Sequence, residues 1–221
     1  MTPGELPPAL VALARARCEG HGPAHDFSHV ARVTRAARRI AEAEGVDPHA
    51  ASLAALLHEL VSFPKDDPRS KESGDACAVA ARAALVEAGE PPARVDAVCA
   101  AIRDHGFSKG VTPTDPVARV LQDADRLDAI GAVGVARLFA TSGEMRRPLW
   151  HPDDPFAETD RALDDKTWGV DHFARKLFRV PEGLHTATAR RLAEGRVAAM
   201  RAYLAALRAE LSDAPPGGGA L

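Results

Sequence analysis

The pair His58-Glu59 interrupts the most apolar stretch of the chain, ASLAALLHELV at residues 51–61. Burying an ionisable pair among leucines and alanines is costly unless it meets a counter-charge, a metal or an open cavity. His29, in AHDFSHVARV, and Asp125, in VLQDADRLDAIG, stand in similarly apolar surroundings, with Asp123 and Asp128 crowded near the latter. Two histidines and two carboxylates from three helices form a donor set for one divalent cation inside a bundle. Neighbours on a helix point about 100° apart, so His58 and Glu59 can grip one ion only from the sides of a cleft. Spacing alone leaves two readings open: a metal centre, or a polar network closed within the protein.

The elements that must position these residues are legible as helices. Leu6, Leu10 and Leu13 after Pro7-Pro8 predict a short helix within residues 5–19, stopped by Gly20 and Gly22. From Asp26 to Glu44, Phe27, Val30, Val33, Ala37 and Ile40 share one side, while Arg32, Arg35, Arg38 and Arg39 lie mostly on the other. His29 falls near the start of this helix, and Asp26 is placed to cap it. Asp47-Pro48 opens a third helix, expected to run to about Val61 and to sit centrally because it is apolar almost all round. Further helices are expected over 74–88 and from Pro92 to about His105. Asp115-Pro116 opens another, whose continuation DRLDAIGAVGVARLFATSG is weakened or split by glycines. Residues 144–171 read as an irregular excursion, helix resumes near Trp168, and a long helix ends at about Leu211.

Composition supports this reading. The 221 residues include 45 alanines and three isoleucines, and only 5% are aromatic, a balance that favours helices over sheet. Twenty-eight Lys and Arg against 31 Asp and Glu give a net charge of −3, which argues against binding to extended nucleic acid over a broad surface. Cys18, Cys77 and Cys99 lack the close spacing of a thiolate metal site and read as reduced, buried residues, Cys77 and Cys99 as packing rather than nucleophiles. No signal peptide or membrane span is recognisable, so a soluble, cytoplasmic protein without a membrane partner is expected. Neither a GxxxxGK[ST] loop nor a GxGxxG turn is present, which removes support for P-loop or dinucleotide chemistry.

The order His29, His58-Glu59, Asp125 resembles the HD superfamily of metal-dependent phosphohydrolases, whose pattern is a His, a His-Asp doublet and a distal Asp. The segments AHDFSHVARV, LVSFPKDDPRS, IRDHGFSKG, DADRLDAIGAVGVAR and DPFAETDRALDDKTWGVDHFARKLFRV, with the terminal helix TATARRLAEGRVAAM, are similar to the bacterial stand-alone helical HD hydrolases over most of residues 20–205. The resemblance implies an all-α HD-domain bundle; the absence of a composition shift predicts one domain over residues 1–212 with its excursion at about 144–171, and the composition of DAPPGGGAL predicts a disordered tail, 213–221. The resemblance also implies hydrolysis of phosphate esters or anhydrides, including nucleoside-triphosphate pyrophosphohydrolysis in some members, and a small, phosphate-bearing substrate such as a nucleotide.

The implied metal ligands are His29, His58, Glu59 and Asp125, with Glu59 standing where the family has aspartate. Such a mixed set suits Mn²⁺, Mg²⁺, Fe, Co or Ni with positions left for water and substrate. A cation there lowers the pKa of a water and polarises a phosphoryl oxygen. Glu59, Lys65, Asp66 and His105 are the expected catalytic residues: Lys65 on phosphate, Asp66 or Asp67 on the water or its proton, His105 as a phosphate contact or general acid. Arg32, Lys65, Arg126, Lys166 and Lys176 are the expected substrate-binding cations. Glu59 carries one methylene more than aspartate, and a longer reach from mid-helix could weaken catalysis more than folding. The competing outcome is therefore a non-catalytic metal- or nucleotide-binding protein with a degenerate site.

Overall fold

The computed structural model describes residues 6–22, 24, 26–61, 63, 68–106, 110 and 112–212. Lys65, Asp66 and Asp67 lie outside the described residues, as does the segment 213–221. Among the described residues the regular elements are all helical: α1 (Pro8–Arg17), α2 (Phe27–Glu44), α3 (Pro48–Leu57), α4 (Ser73–Glu87), α5 (Pro92–Asp104), α6 (Pro116–Asp128), α7 (Gly131–Glu144), α8 (Asp171–Arg175) and α9 (Ala187–Ser212). Short 3-10 turns at Pro68–Glu72 and Leu177–Gly183 precede α4 and follow α8. The expected all-α class is what the chain adopts.

Aspartate side chains start the three helices that matter most. Asp26, Asp47 and Asp115 each accept hydrogen bonds from two backbone N–H groups of the first turn, those of α2, α3 and α6 respectively. Each such cap satisfies donors that the helix itself cannot, worth about 1 kcal/mol. At its far end α2 stops at Gly45, whose φ of 70° is the left-handed turn that glycine adopts without a Cβ penalty.

Helix α3 is the centre of the bundle. Its residues from Ala50 to Leu57 are all buried, and it packs against α2, α5, α6 and α1. Fully burying a leucine such as Leu53 or Leu57 contributes roughly 1.5–3 kcal/mol, which is why a helix apolar on every side belongs here. It ends four residues earlier than the hydrophobic run suggested. His58 is its C-cap and Glu59 lies in the turn beyond, so the doublet is not in mid-helix. The Cys77 thiol on α4 lies 3.1 Å from the Leu57 carbonyl and 3.2 Å from that of His58, giving both a donor where the helical ladder has run out. Burial pushes this thiol up to about 11, so it keeps the proton it donates.

Two other boundaries follow from local chemistry. The expected split after α6 occurs at Ile130, which is extended, and at Gly131, with φ of +82°. A Cβ on Gly131 would also press to 3.0 Å of the Arg196 side chain on α9. On the opposite face of α6, the buried Asp123 accepts from the backbone N–H groups of His185 and Thr186 and from the Thr186 hydroxyl, all within 2.7–2.8 Å. That clamp fixes where α9 begins.

Between α7 and α8 the backbone is irregular, as expected, yet closely organised. Asp154 accepts from the N–H groups of Glu158 and Thr159 and from the Thr159 hydroxyl. Asp171, buried at the start of α8, takes both terminal nitrogens of Arg161 at 2.7 Å and the Asp164 N–H at 2.7 Å. Arg161 reaches back with two further bonds to the Asp154 carbonyl.

Candidate metal centre

Helices α2, α3 and α6 bring His29, His58 and Asp125 to one place. Each offers a ligand atom, and the three atoms lie within 4.8 Å of one another. The Asp125 carboxylate oxygen is 3.6 Å from His29 Nε2 and 4.0 Å from His58 Nε2. The two imidazoles meet edge to face at 5.4 Å. Both histidines are buried, whereas 35% of the Asp125 side chain is exposed, so the site opens on the aspartate side.

The tautomers follow from the other ring nitrogens. His58 Nδ1 is 2.7 Å from the Ala55 carbonyl, which can only accept, so Nδ1 carries the proton and Nε2 the lone pair. Burial pushes the His58 imidazole down to about 3 against the pull of Asp125, with the neighbouring His105 and His29 adding to the depression. It is neutral, and its buried Nε2 has no hydrogen-bond partner among the described residues. His29 Nδ1 is 2.8 Å from Asp128 Oδ2. Burial of Asp128 works against its charge, but hydrogen bonds from His29 and Arg32 and the charge of Arg137 hold the carboxyl far below its ordinary value. It is ionised and accepts, so His29 Nδ1 carries a proton and Nε2 is the ring atom presented to the site. Confinement likewise works against the charge of Asp125, but His58, His29 and His105 keep its carboxyl below the usual range. Two imidazole Nε2 atoms and one carboxylate thus converge, a donor set that fits a first-row divalent cation or Mg²⁺.

The remaining expected residues divide by what they touch. Glu59 borders the site: its Oε1 is 3.8 Å from His58 Nε2, and 17% of its side chain is exposed. It stands at one corner and is not part of the mutually close set of three. His105 packs its ring on His58 at 5.3 Å, nearly perpendicular, with Nδ1 committed to the Ile102 carbonyl. Arg32 is on the far side of His29, giving Nε and Nη2 to Asp128 at 2.8 and 3.0 Å and Nη1 to Ser28. Arg126 points away as well, bonding the Gly183 carbonyl and His185 Nε2 and so tying α6 to the segment before α9. Lys166 and Lys176 are exposed. Lys65, Asp66 and Asp67 fall outside the described residues.

Sequence reasoning overlooked two contributors. Asp128 orients His29, and Arg137 on α7 donates to the same Asp128 oxygen at 2.8 Å. The signal for Asp128 was present in the spacing: it follows Asp125 by three positions, as Arg32 follows His29, so the second pair of residues lies one turn behind the first. Nothing local announces Arg137. Of the three crowded aspartates, only Asp125 faces the site; Asp123 clamps α9 and Asp128 stands behind His29.

Comparison with known proteins converges on one group. The HD domain family matches residues 26–130, a span that begins at the Asp26 cap and ends at the α6–α7 break. The uncharacterized protein YpgQ of Bacillus subtilis is 33% identical over 176 residues, covering 78% of this chain and 77% of YpgQ. The crystal structure of YpgQ in complex with ADP superposes with a TM-score of 0.70 at 30% identity, over 96% of this chain and 95% of that one. An HD-superfamily hydrolase from Bacillus thuringiensis, 24% identical, shares the fold with a TM-score of 0.71 over 92% of this chain and 95% of its own.

Proposed function

The chain belongs to the HD family of metal-dependent phosphohydrolases, and from that premise we propose that it hydrolyses a phosphoanhydride bond of a small nucleotide, with His29, His58 and Asp125 holding the divalent cation. One observation carries the assignment: the buried, unpartnered Nε2 of His58 faces a second imidazole nitrogen and an ionised carboxylate at a mouth open to solvent. A histidine lone pair left without a donor in a closed core is costly, and a cation is the partner that satisfies it. YpgQ, solved with ADP, supports a nucleotide as the substrate class.

A divalent cation bound here supplies Lewis-acid polarisation of a phosphoryl oxygen and acidifies a water. The chain's own residues do the rest. Asp128, Arg32 and Arg137 hold His29 in one tautomer and orientation, and the Ala55 carbonyl does the same for His58. Glu59, at the corner beside His58, orients the attacking water and takes its proton. His105, with Nδ1 held by the Ile102 carbonyl, keeps Nε2 for the departing phosphate, to which it gives a proton when the ring enters the step as imidazolium. Lys65 and Asp66, which follow the doublet in sequence, are assigned phosphate neutralisation and water orientation on the strength of the sequence resemblance. Among the described residues no helix is long and apolar enough to cross a membrane, and the three cysteines are free, so we place the enzyme in the cytoplasm.

The test is turnover of nucleoside tri-, di- and monophosphates by chelator-stripped protein before and after adding Mn²⁺ or Mg²⁺, with the products identified by ³¹P NMR. Activity that appears only with metal, on anhydrides in preference to monoesters, is expected. Stoichiometric metal binding without turnover of any nucleotide would favour the degenerate binding protein suggested by Glu59.

A further inference from the structure

On the side of α2 that the metal centre does not use, four guanidinium groups line one cavity. Arg32, Arg35 and Arg39 follow one another along α2, Arg196 faces them from α9, and Asp128 closes one side of a space of 240 Å³. Positions three and four apart share a helix face, so the three α2 arginines form a stripe rather than a scatter. Asp128 is the one acidic residue in that lining, and its oxygens are already taken by His29, Arg32 and Arg137. Arg35 and Arg39 are exposed and form no ion pair or hydrogen bond with any described residue. Among the described residues Arg196 is hydrogen-bonded only through Nη1, to the Leu127 carbonyl. Burial, against the pull of Asp128 and with the repulsion of Arg32, holds the Arg196 guanidinium below its ordinary value.

Like charges gathered in a concave, half-buried space repel, and the repulsion is relieved when an anion enters. Guanidinium forks match phosphate oxygens with paired, charge-assisted hydrogen bonds. Val133 and Leu192 form an apolar wall, which lowers the local dielectric and strengthens those contacts. Exposed arginines on a helix are ordinarily just solvated. Here two helices aim them into one hollow whose only acid is committed elsewhere.

We propose that this cavity is a second anion site that takes a diphosphate group, separate from the substrate's place at the metal centre. The group could arrive as free pyrophosphate or as the tail of a nucleoside diphosphate. Because Asp128 and Arg32 border both places, the site abuts the back of the residues that orient His29.

Isothermal titration of the metal-loaded protein with methylenediphosphonate and, separately, with α,β-methylene-ADP tests the assignment, since neither is hydrolysed at the bridged bond. Two equivalents should bind. The double variant Arg35→Gln/Arg39→Gln should lose one, or bind it at least about tenfold more weakly, and retain the other. Asp125→Asn should show the reverse pattern, so failure of the metal-centre reading is distinguishable from failure of this one. Arg35→Lys/Arg39→Lys keeps the charge without the fork and should fall between wild type and the glutamine pair. Tighter binding of the nucleotide analogue at the arginine site would identify a nucleotide tail as the source, and equal binding would identify the free anion. A single equivalent in the wild type, or unchanged binding in the glutamine pair, would overturn the proposal.

Discussion

Two regions of this protein set an aspartate beside groups that carry positive charge or can ligate, and they finish the job differently. In the excursion before α8, Asp171 takes two nitrogens of Arg161 and one backbone N–H, and Arg161 itself is spent on Asp171 and Asp154. Every strong donor there has its acceptor. At the meeting of α2, α3 and α6, Asp125 stands 3.6 and 4.0 Å from two imidazole nitrogens, beyond hydrogen-bond distance, and His58 Nε2 has no described partner. The first arrangement is complete as folded. The second is held open by a surrounding shell that is itself complete, with Asp128, Arg32, Arg137 and Ala55 all engaged. Rigid support around an unfinished centre is the mark of a binding site; polar residues in a core are not.

Asp125→Asn should separate the two most sharply. It removes a ligand and the carboxylate's charge, and changing a residue that merely supports a ligand typically costs 10- to 100-fold, so turnover should fall by more than about a hundredfold with metal content dropping in parallel. The melting temperature of the metal-free protein should fall only slightly, because Asp125 accepts no hydrogen bond from the two imidazoles and loses only their longer-range attraction. Metal analysis, turnover and thermal melts on the same preparations check this. A large loss of metal-free stability would place Asp125 with Asp171 as a structural residue.

Arg161→Met should do the opposite. It strands Asp171, whose side chain is 1% exposed, as an uncompensated buried carboxylate, which costs about 3 kcal/mol and roughly 6–12 °C in melting temperature. Turnover per folded molecule should be retained. The pH dependence fixes the sign. Burial works against the Asp171 charge, but the Arg161 and Asp164 hydrogen bonds hold its carboxyl below the ordinary 3.8. A folded pKa below the unfolded one contributes stability that is full above the unfolded value and is lost as pH falls through the folded value. Without Arg161, burial raises that pKa, and protonation then relieves the variant. The gap in melting temperature between wild type and Arg161→Met should therefore narrow as pH drops from 6 toward 3; a constant gap would refute the ion-pair account.

Asp128→Asn probes the shell, and its effect should be intermediate. Asparagine keeps the shape and one acceptor oxygen but removes the charge that Arg32 and Arg137 share and that fixes the His29 tautomer. Metal affinity should weaken about 10- to 100-fold, measured by competition with a metallochromic chelator. No change would mean that the backbone of α2, capped by Asp26, suffices to aim His29.

How far the sequence reaches is visible on α6. The Asp-Pro start, the apolar stripe and the break at glycine were readable, because capping and periodicity are local. The choice of Asp125 as ligand came from the ordered resemblance. The roles of Asp123 and Asp128 were not separated, although helical phase places Asp123 about 200° from Asp125 and Asp128 only about 60° from it. The protein partners of Arg32 and Arg126 were hidden for another reason. Each sits beside a ligand in sequence, but an arginine's partner is set by what the fold brings within reach, and here that was Asp128, 96 positions away, and Gly183, 57 away. The early end of α3 depended on the Cys77 thiol, 20 positions beyond Leu57, which no pattern within the helix discloses.

That early end changes what Glu59 is expected to do. From mid-helix, a glutamate in an aspartate's place would overshoot with little freedom to adjust. From a turn after the C-cap, the longer side chain can settle, and its oxygen arrives 3.8 Å from His58 Nε2. Since His29, His58 and Asp125 already form a close set, Glu59→Asp should leave metal affinity nearly unchanged. The cost should fall on turnover, where a carboxylate drawn back by one methylene meets the attacking water less well, and should stay below the roughly hundredfold that an ångström of misplacement can exact. A parallel drop in metal affinity would make Glu59 a fourth ligand of equal weight. A large gain in turnover would show that this position, and not the rest of the centre, had been holding the enzyme back.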